Sequence, residues 1–447
     1  EAADLLLGGC VAFAVVVNGA RRRRDDLGAV RIDFDERVVS TLVSTEEDGL
    51  YTIAPASSPV TASLPSSVTS HHPELGTSVP YTGAGVKVAV VDSGYKSHKD
   101  LSPLYKVSLV GNKADDENGH GNHVSAIVVG DGSDSSGLYR GIAPDAQLVT
   151  VRVLDEVGQG LSSDVIAGLD EILAKNQESW HIRVVNMSLG HPVHQPSAED
   201  PLVQAVEAIW DSGVVVVCSA GNAGRDGYGT ITSPGNSRKV ITVGSVTTWG
   251  DSDPGNDIVS TFSSRGPTLG DHIVKPDLVT PGNRLIAAKA VRSYLESNHP
   301  DRLITAPGER SAEYYQLSGT SMAAAVVTGA VALMLEKDPS LSPDTVKARL
   351  MRSASKVEFA DVFATGAGLL DIEAALADTG SVSQAPSPKA FRAEAADTGG
   401  EPMMGFEDTA QLWGGEEWGQ AYLWSDAYLW SDAYLWSDAY LWSDAYL

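Results

Sequence analysis

From Ser318 to Leu335 the chain reads SGTSMAAAVVTGAVALML, a run that is small and apolar on every side. A helix of that kind has no polar face to give to water, so it belongs at the centre of a sizeable core. Gly319 permits a tight entry, and the small residues after it allow close packing. Ser321, at the junction, would present its hydroxyl at a helix N-terminus, where N–H groups and the dipole favour developing negative charge. That is a nucleophile's position. A Gly-Thr-Ser ahead of a helix is nevertheless an N-cap more often than a catalyst, by roughly nine to one.

Two further stretches reverse those odds. The apolar run at 86–91 reads as a strand buried on both faces, and it ends on Asp92, at the edge where open α/β sheets place their chemistry. Asn118-Gly119-His120-Gly121-Asn122-His123 then leads into a small apolar helix with a histidine at its start. Asp, His and Ser in that chain order, each at an element end, match the subtilisin-type triad. The chain thus resembles the subtilisin-like serine proteases, the subtilase family. NMSLG at 186–190, SAGN at 219–222, FSSRGP at 262–267, KPDL at 275–278 and GAGLLD at 366–371 resemble signatures of that family in the right order. The resemblance runs from about Tyr81 to Leu376.

The resemblance implies a three-layer α/β/α fold with a mainly parallel sheet, and a serine endopeptidase. Ser321 would be the nucleophile, His120 the general base and then acid, and Asp92 the orienting carboxylate. His123 is the competing base, and its family counterpart is structural. Asn222 would donate its side-chain amide to the oxyanion, with the Ser321 N–H as second donor and Thr320 assisting. Protein or peptide substrate would add as a strand against Ser188-Leu189-Gly190 on one side and Gly158-Gln159-Gly160 on the other. Glycines there let another main chain approach. Gly221 and Thr232 would line the pocket for the residue preceding the scissile bond; neither is charged, so the pocket should prefer apolar or bulky neutral side chains. The family also implies a cis peptide at Ser233-Pro234. Two positions depart from its pattern: Asn122 stands where threonine is usual, and Ala325 where proline is.

Composition narrows the alternatives. A chain of 447 residues holds one large α/β domain plus appendages. Its net charge of −26 argues against a nucleic-acid partner. The two cysteines, Cys10 and Cys218, fall in different segments, so no disulfide framework is expected. No segment is read as long enough for a transmembrane helix. The apolar stretch from Leu5 to Val17 lacks a basic n-region and runs on into four arginines, so it is not read as a targeting signal. The chemistry needs no cofactor and no metal. Structural calcium is common in the family, but no ligand set here is specific enough to name.

Taken in order, residues 1–42 read as strand (Val11–Val17), charged helix (Ala20–Leu27) and alternating strand (Val30–Phe34). They resemble the second half of a subtilase propeptide, which implies the chain's own inhibitor and a self-cut between Leu42 and Val43. Residues 43–80, rich in Ser, Thr and Pro, read as a linker or N-terminal arm. His71-His72 within it is read as solvated rather than metal-binding. Residues 81–378 alternate apolar runs at 86–91, 147–153, 183–187, 213–218 and 240–244 with helix patterns near 120–130, 162–175 and 198–211, followed by helices at 321–336 and 342–354. Such alternation implies a parallel sheet covered on both faces. Residues 379–447 read as an acidic low-complexity tail ending in four YLWSDA copies. Period-two spacing suits a strand that would attach to a surface or to carbohydrate; a structureless tail is the equal alternative. Secretion follows from the resemblance, with surface association through the tail. A catalytically silent scaffold used for binding is the rival reading, and a processing enzyme for one partner the second.

Overall fold

In a computed structural model of the chain, the structure describes residues 31–33, 79–249, 256–357, 361–393 and 403–406. The strand and helix expected at 11–27, the His71-His72 pair, the Leu42–Val43 junction and the YLWSDA repeats lie outside the described residues.

After β1 (Arg31–Asp33), the main body runs β2 (Lys87–Asp92), β3 (Tyr105–Ser108), α1 (His120–Val129), β4 (Gln147–Arg152), β5 (Gln159–Leu161) and α2 (Ser162–Glu178). It continues through β6 (Val184–Met187), α3 (Pro201–Asp211), β7 (Val215–Ser219), β8 (Ile241–Thr247), β9 (Ile258–Val259), β10 (Leu278–Pro281) and β11 (Leu285–Ala288). Then follow α4 (Tyr294–Asn298), β12 (Leu303–Ile304), β13 (Tyr314–Leu317) and α5 (Thr320–Lys337). Last come α6 (Pro343–Ser353), α7 (Val362–Thr365), α8 (Ile372–Ala377), β14 (Ala390–Ala393) and β15 (Met403–Phe406).

Seven of these strands pair in parallel in the order β10-β8-β7-β6-β2-β4-β3, and β9 adds antiparallel to β8. The central strands are valine-rich and buried throughout except at Lys87, which opens β2, as a sheet covered on both faces requires. The chain leaves β2 towards β4 on one side and later returns to β6 on the other. β2 and β6 therefore flank a topological switch point, where open sheets place a site at their carboxyl ends. Asp92 ends β2 and Ser188 follows β6. The three-layer α/β/α expectation is met.

α1 and α5 pack on each other and on the sheet, while α2 and α3 pack together, α3 on β7. Every residue of α5 from Thr320 to Leu335 is buried. Burying each of its Val and Leu side chains is worth about 1.5–3 kcal/mol relative to leaving it in water. The close approach to the rest of the core depends on Gly329: a Cβ there would lie 2.4 Å from the Ile142 Cβ. One sequence expectation is corrected here. By length and composition α5 could cross a membrane, yet 89% of it is buried inside the protein, so it is a core helix.

The stretch just past the boundary read at 378 is held to the body. Beyond α8 the chain continues against the body, with Ala385, Ser387 and Ala390 buried. Ser387 Oγ donates to Asp277 Oδ1 at 2.5 Å and accepts from Lys347 Nζ at 2.7 Å. Lys275 Nζ donates to Asp277 Oδ2 at 2.7 Å, so two ammonium groups share one carboxylate in the core. Burial pulls Lys347 down to about 7, and Asp277 opposes that shift. Composition hid this anchor because a single serine supplies it. Cys218, read as a small buried hydrophobe, is buried and free, and burial raises its thiol to about 12.

Candidate active site

β2 delivers Asp92 to the sheet edge, and α1 begins on His120 beside it. His120 Nδ1 lies 2.8 Å from Asp92 Oδ1 and 3.0 Å from Oδ2. A carboxylate at Nδ1 fixes the proton there and makes Nε2 the basic nitrogen. Asp92 is itself held: Ser93 N donates to its Oδ1 at 2.7 Å. Ser93 Oγ lies 3.2 Å from the same oxygen and 2.9 Å from Asp116 Oδ1, and it accepts from Gly121 N at 2.9 Å.

Asp116 was not singled out in the sequence. It accepts from Gly119 N at 2.6 Å and Asn122 N at 2.8 Å, so it ties both ends of the histidine turn to β2. Burial, with Asp92 close by, raises its carboxyl above the usual range. Its only sequence signal is a carboxylate four residues before the histidine.

His123 is resolved as structural. Its Nε2 lies 3.1 Å from Leu285 O and 3.0 Å from Tyr315 O, so it donates to two carbonyls. Burial, and the neighbouring His120, lower it to about 3. A buried imidazole that stays neutral and spends its N–H on main chain is no base for the reaction. Asn122 also has a full set of bonds: Oδ1 accepts from Lys96 N at 2.8 Å, and Nδ2 donates to Lys96 O at 2.8 Å and Lys289 O at 3.0 Å.

Gly319 leads into α5, and Ser321 sits in its first turn, buried. Ser321 Oγ donates to Ser188 O at 3.2 Å. Asn222 Oδ1 accepts from Thr320 N at 2.9 Å and Thr320 Oγ1 at 3.1 Å. Those bonds use the carbonyl end of the amide and leave its NH₂ as the donor beside Ser321. Thr320 therefore orients Asn222.

Gly190, Gly221 and Thr232 converge. A Cβ on Gly190 would lie 2.8 Å from Thr232 Oγ1, and one on Gly221 2.8 Å from Thr232 Cγ2. The two chain segments are tied by His191 N to Ser233 O at 3.0 Å and Ser233 N to His191 O at 2.9 Å. Ser233-Pro234 is cis. Leu189, between the serine and the glycine of that edge, is buried. At the opposite edge the glycines have local reasons. Gly158 takes φ 80° in a turn. A Cβ on Gly160 would meet Val153 O at 2.4 Å, inside the protein. β1 pairs antiparallel with β5 on this edge, Ile32 opposite Gly160.

Among the described residues, His98, Asp134 and Glu313 bring ligand atoms within 4.8 Å of one another. They do not fit a cation as they stand. His98 Nδ1 accepts from Asp100 N at 3.1 Å, its Nε2 lies 2.9 Å from Glu313 O, and the Lys99 ammonium already bonds Asp134.

An imidazole oriented by a carboxylate, a serine at a helix start and an aimed amide donor can together perform acyl transfer. A model described as the subtilase family matches residues 83–369. Serine protease AprX of Bacillus subtilis (strain 168) is 39% identical over 300 residues, covering 65% of this chain and 66% of that protein. Subtilisin DY of Bacillus licheniformis is 36% identical over 299 residues, covering 66% of this chain and 92% of that protein. M-protease of Shouchella clausii (strain KSM-K16) is 32% identical over 353 residues. The chain belongs to the subtilase family.

Proposed function

We propose that the protein is a serine endopeptidase that works through an acyl-enzyme. Substrate lies as a strand along Ser188–Gly190 and the 158–160 edge. Rotation about χ1 takes the Ser321 hydroxyl from Ser188 O to the imidazole. Oγ then bonds to the scissile carbonyl carbon while its proton passes to His120 Nε2. Asp92 stabilises the imidazolium, and the oxyanion accepts from the Asn222 amide and the Ser321 N–H. His120 returns the proton to the amine nitrogen as the C–N bond breaks. Water then repeats the sequence with Ser321 Oγ as the leaving group. Gly190, Gly221 and Thr232 surround the side chain before the scissile bond with no charge, which favours apolar or bulky neutral residues.

The observation that carries this reading is the Asp92 carboxylate held against His120 Nδ1 through both oxygens. The chain's own N-terminal segment acts as inhibitor in this reading, supported by β1 occupying the edge that substrate would use. Action outside the cell and a self-cut between Leu42 and Val43 complete it.

A serine-directed fluorophosphonate tests the reading. Stoichiometric labelling at Ser321, lost in Ser321→Ala and in His120→Ala, is the expected result. No labelling, with no peptide cleavage, would leave a silent binding scaffold.

A further inference from the structure

Between β11 and β13 the chain makes an excursion, and residues 291–299, with α4, sit on the loop that carries the histidine. Tyr294 N donates to Glu117 O at 2.8 Å, and Leu295 N donates to Asn118 O at 3.0 Å. A Cβ on Gly119, the residue before His120, would lie 2.8 Å from Ser293 Oγ and 3.4 Å from the Leu295 Cβ. The side chains at 293 and 295 thus rest on the histidine turn.

The excursion is built to stay there. Arg292 takes φ 58°, turning the chain so that Ser293 Oγ accepts from Glu296 N at 3.2 Å and caps α4. Tyr315 OH donates to Leu295 O at 2.7 Å, and Asn122 holds Lys289 O from below. Asn118 Nδ2 donates to Glu156 O at 3.3 Å, which joins this rim to the substrate edge at 158–160. Its charged groups are spent on one another: Arg152 lies 2.9 Å from Glu117, and Lys289 2.7 Å from Glu296. Two apolar side chains face outward, Tyr294 at 38% exposed and Val291 at 37%, with the exposed Arg292 between them.

We propose that residues 291–295 form a wall of the substrate cleft, and that Tyr294 is a specificity-determining residue. It contacts an apolar or aromatic substrate side chain that passes beside His120, at a position separate from the pocket of Gly221 and Thr232. The proposal rests on the endopeptidase reading. The wall is fixed and continuous with the strand-binding edge, and at Tyr294 it offers apolar contact. Contacts of that kind discriminate by about 10–200-fold.

The test is a positional-scanning peptide library cleaved by the full chain, by Tyr294→Ala and Tyr294→Phe, and by Leu104→Ala as a remote control. Leu104 is exposed at the amino-end edge of the sheet, its N–H on Leu148 O. In Tyr294→Ala the preference for bulky apolar over small residues should fall about tenfold at one position flanking the scissile bond, with the preference immediately before the bond retained. Tyr294→Phe should restore it, and Leu104→Ala should match the parent throughout. A Tyr294→Ala profile identical to the parent, or an equal loss at every position, would overturn the wall alone. A parent chain that cleaves no peptide would overturn the endopeptidase reading and the wall with it.

Discussion

Ser188 Oγ donates to the carbonyl of Ser321 at 2.8 Å, and Ser321 Oγ donates back to the carbonyl of Ser188 at 3.2 Å. This reciprocal pair fastens the start of α5 to the edge proposed for substrate. The lock extends inward, because Asn186 Nδ2 donates to Ser188 Oγ at 2.9 Å and Thr328 Oγ1 to Asn186 Oδ1 at 2.8 Å. In Ser188→Ala the buried Asn186 amide loses its acceptor and the Ser321 carbonyl loses a donor. Stability should fall by about 1–3 kcal/mol in urea unfolding, with turnover reduced as the nucleophile loosens. Unchanged stability would mean the network carries no weight.

Ala325 lies where the helix repeat directs its N–H to the same Ser321 carbonyl. Proline removes that donor, but Ser188 Oγ still satisfies the oxygen. Ala325→Pro is therefore expected to fold with little loss of melting temperature and to change turnover by moving Ser321. The double variant Ala325→Pro, Ser188→Ala should lose more stability than the two single costs combined.

Asn222→Ala should lower kcat with KM nearly unchanged, since its hydrogen bond forms only as the oxyanion develops. The expected loss is about 10²–10³-fold, the size seen when a subtilisin loses such a donor. A raised KM with unaltered kcat would remove Asn222 from the oxyanion site.

His123 supplies a pH dependence. Its folded pKa of about 3 lies below the ordinary value of 6.5, so the unfolded chain binds the extra proton between them. Its contribution is complete above pH 6.5 and is lost as pH falls through about 3. Urea unfolding from pH 7 down to pH 4 should show stability declining with acidity, and His123→Gln should flatten that slope.

The segment beyond α8 should matter to folding. Ser387→Ala, or truncation after Gly380, takes the hydroxyl from between Lys347 and Asp277. Leaving those buried charges short of a partner should cost about 1–3 kcal/mol. Equal unfolding midpoints for the parent and truncated chains would show that the segment is an appendage after all.

The sheet, and the three residues of the proposed triad at its edge, were legible in the sequence because their signals are local. Valine runs specify strands covered on both faces. Asp92 ends one of them, and His120 and Ser321 each stand where a small apolar helix begins. Asn222 could be placed by the same logic, as a turn after the buried strand β7. What no local pattern carries is the identity of long-range partners. Ser387 and Asp277 are 110 residues apart in the chain, and Ser188 and Ser321 are 133 apart. Only the path of the chain decides that these meet, that His123 spends its proton on two carbonyls, or that Tyr294 comes to lie on the histidine loop. A buried polar atom must be satisfied by whatever the fold brings within about 3 Å, and that geometry exists only in three dimensions.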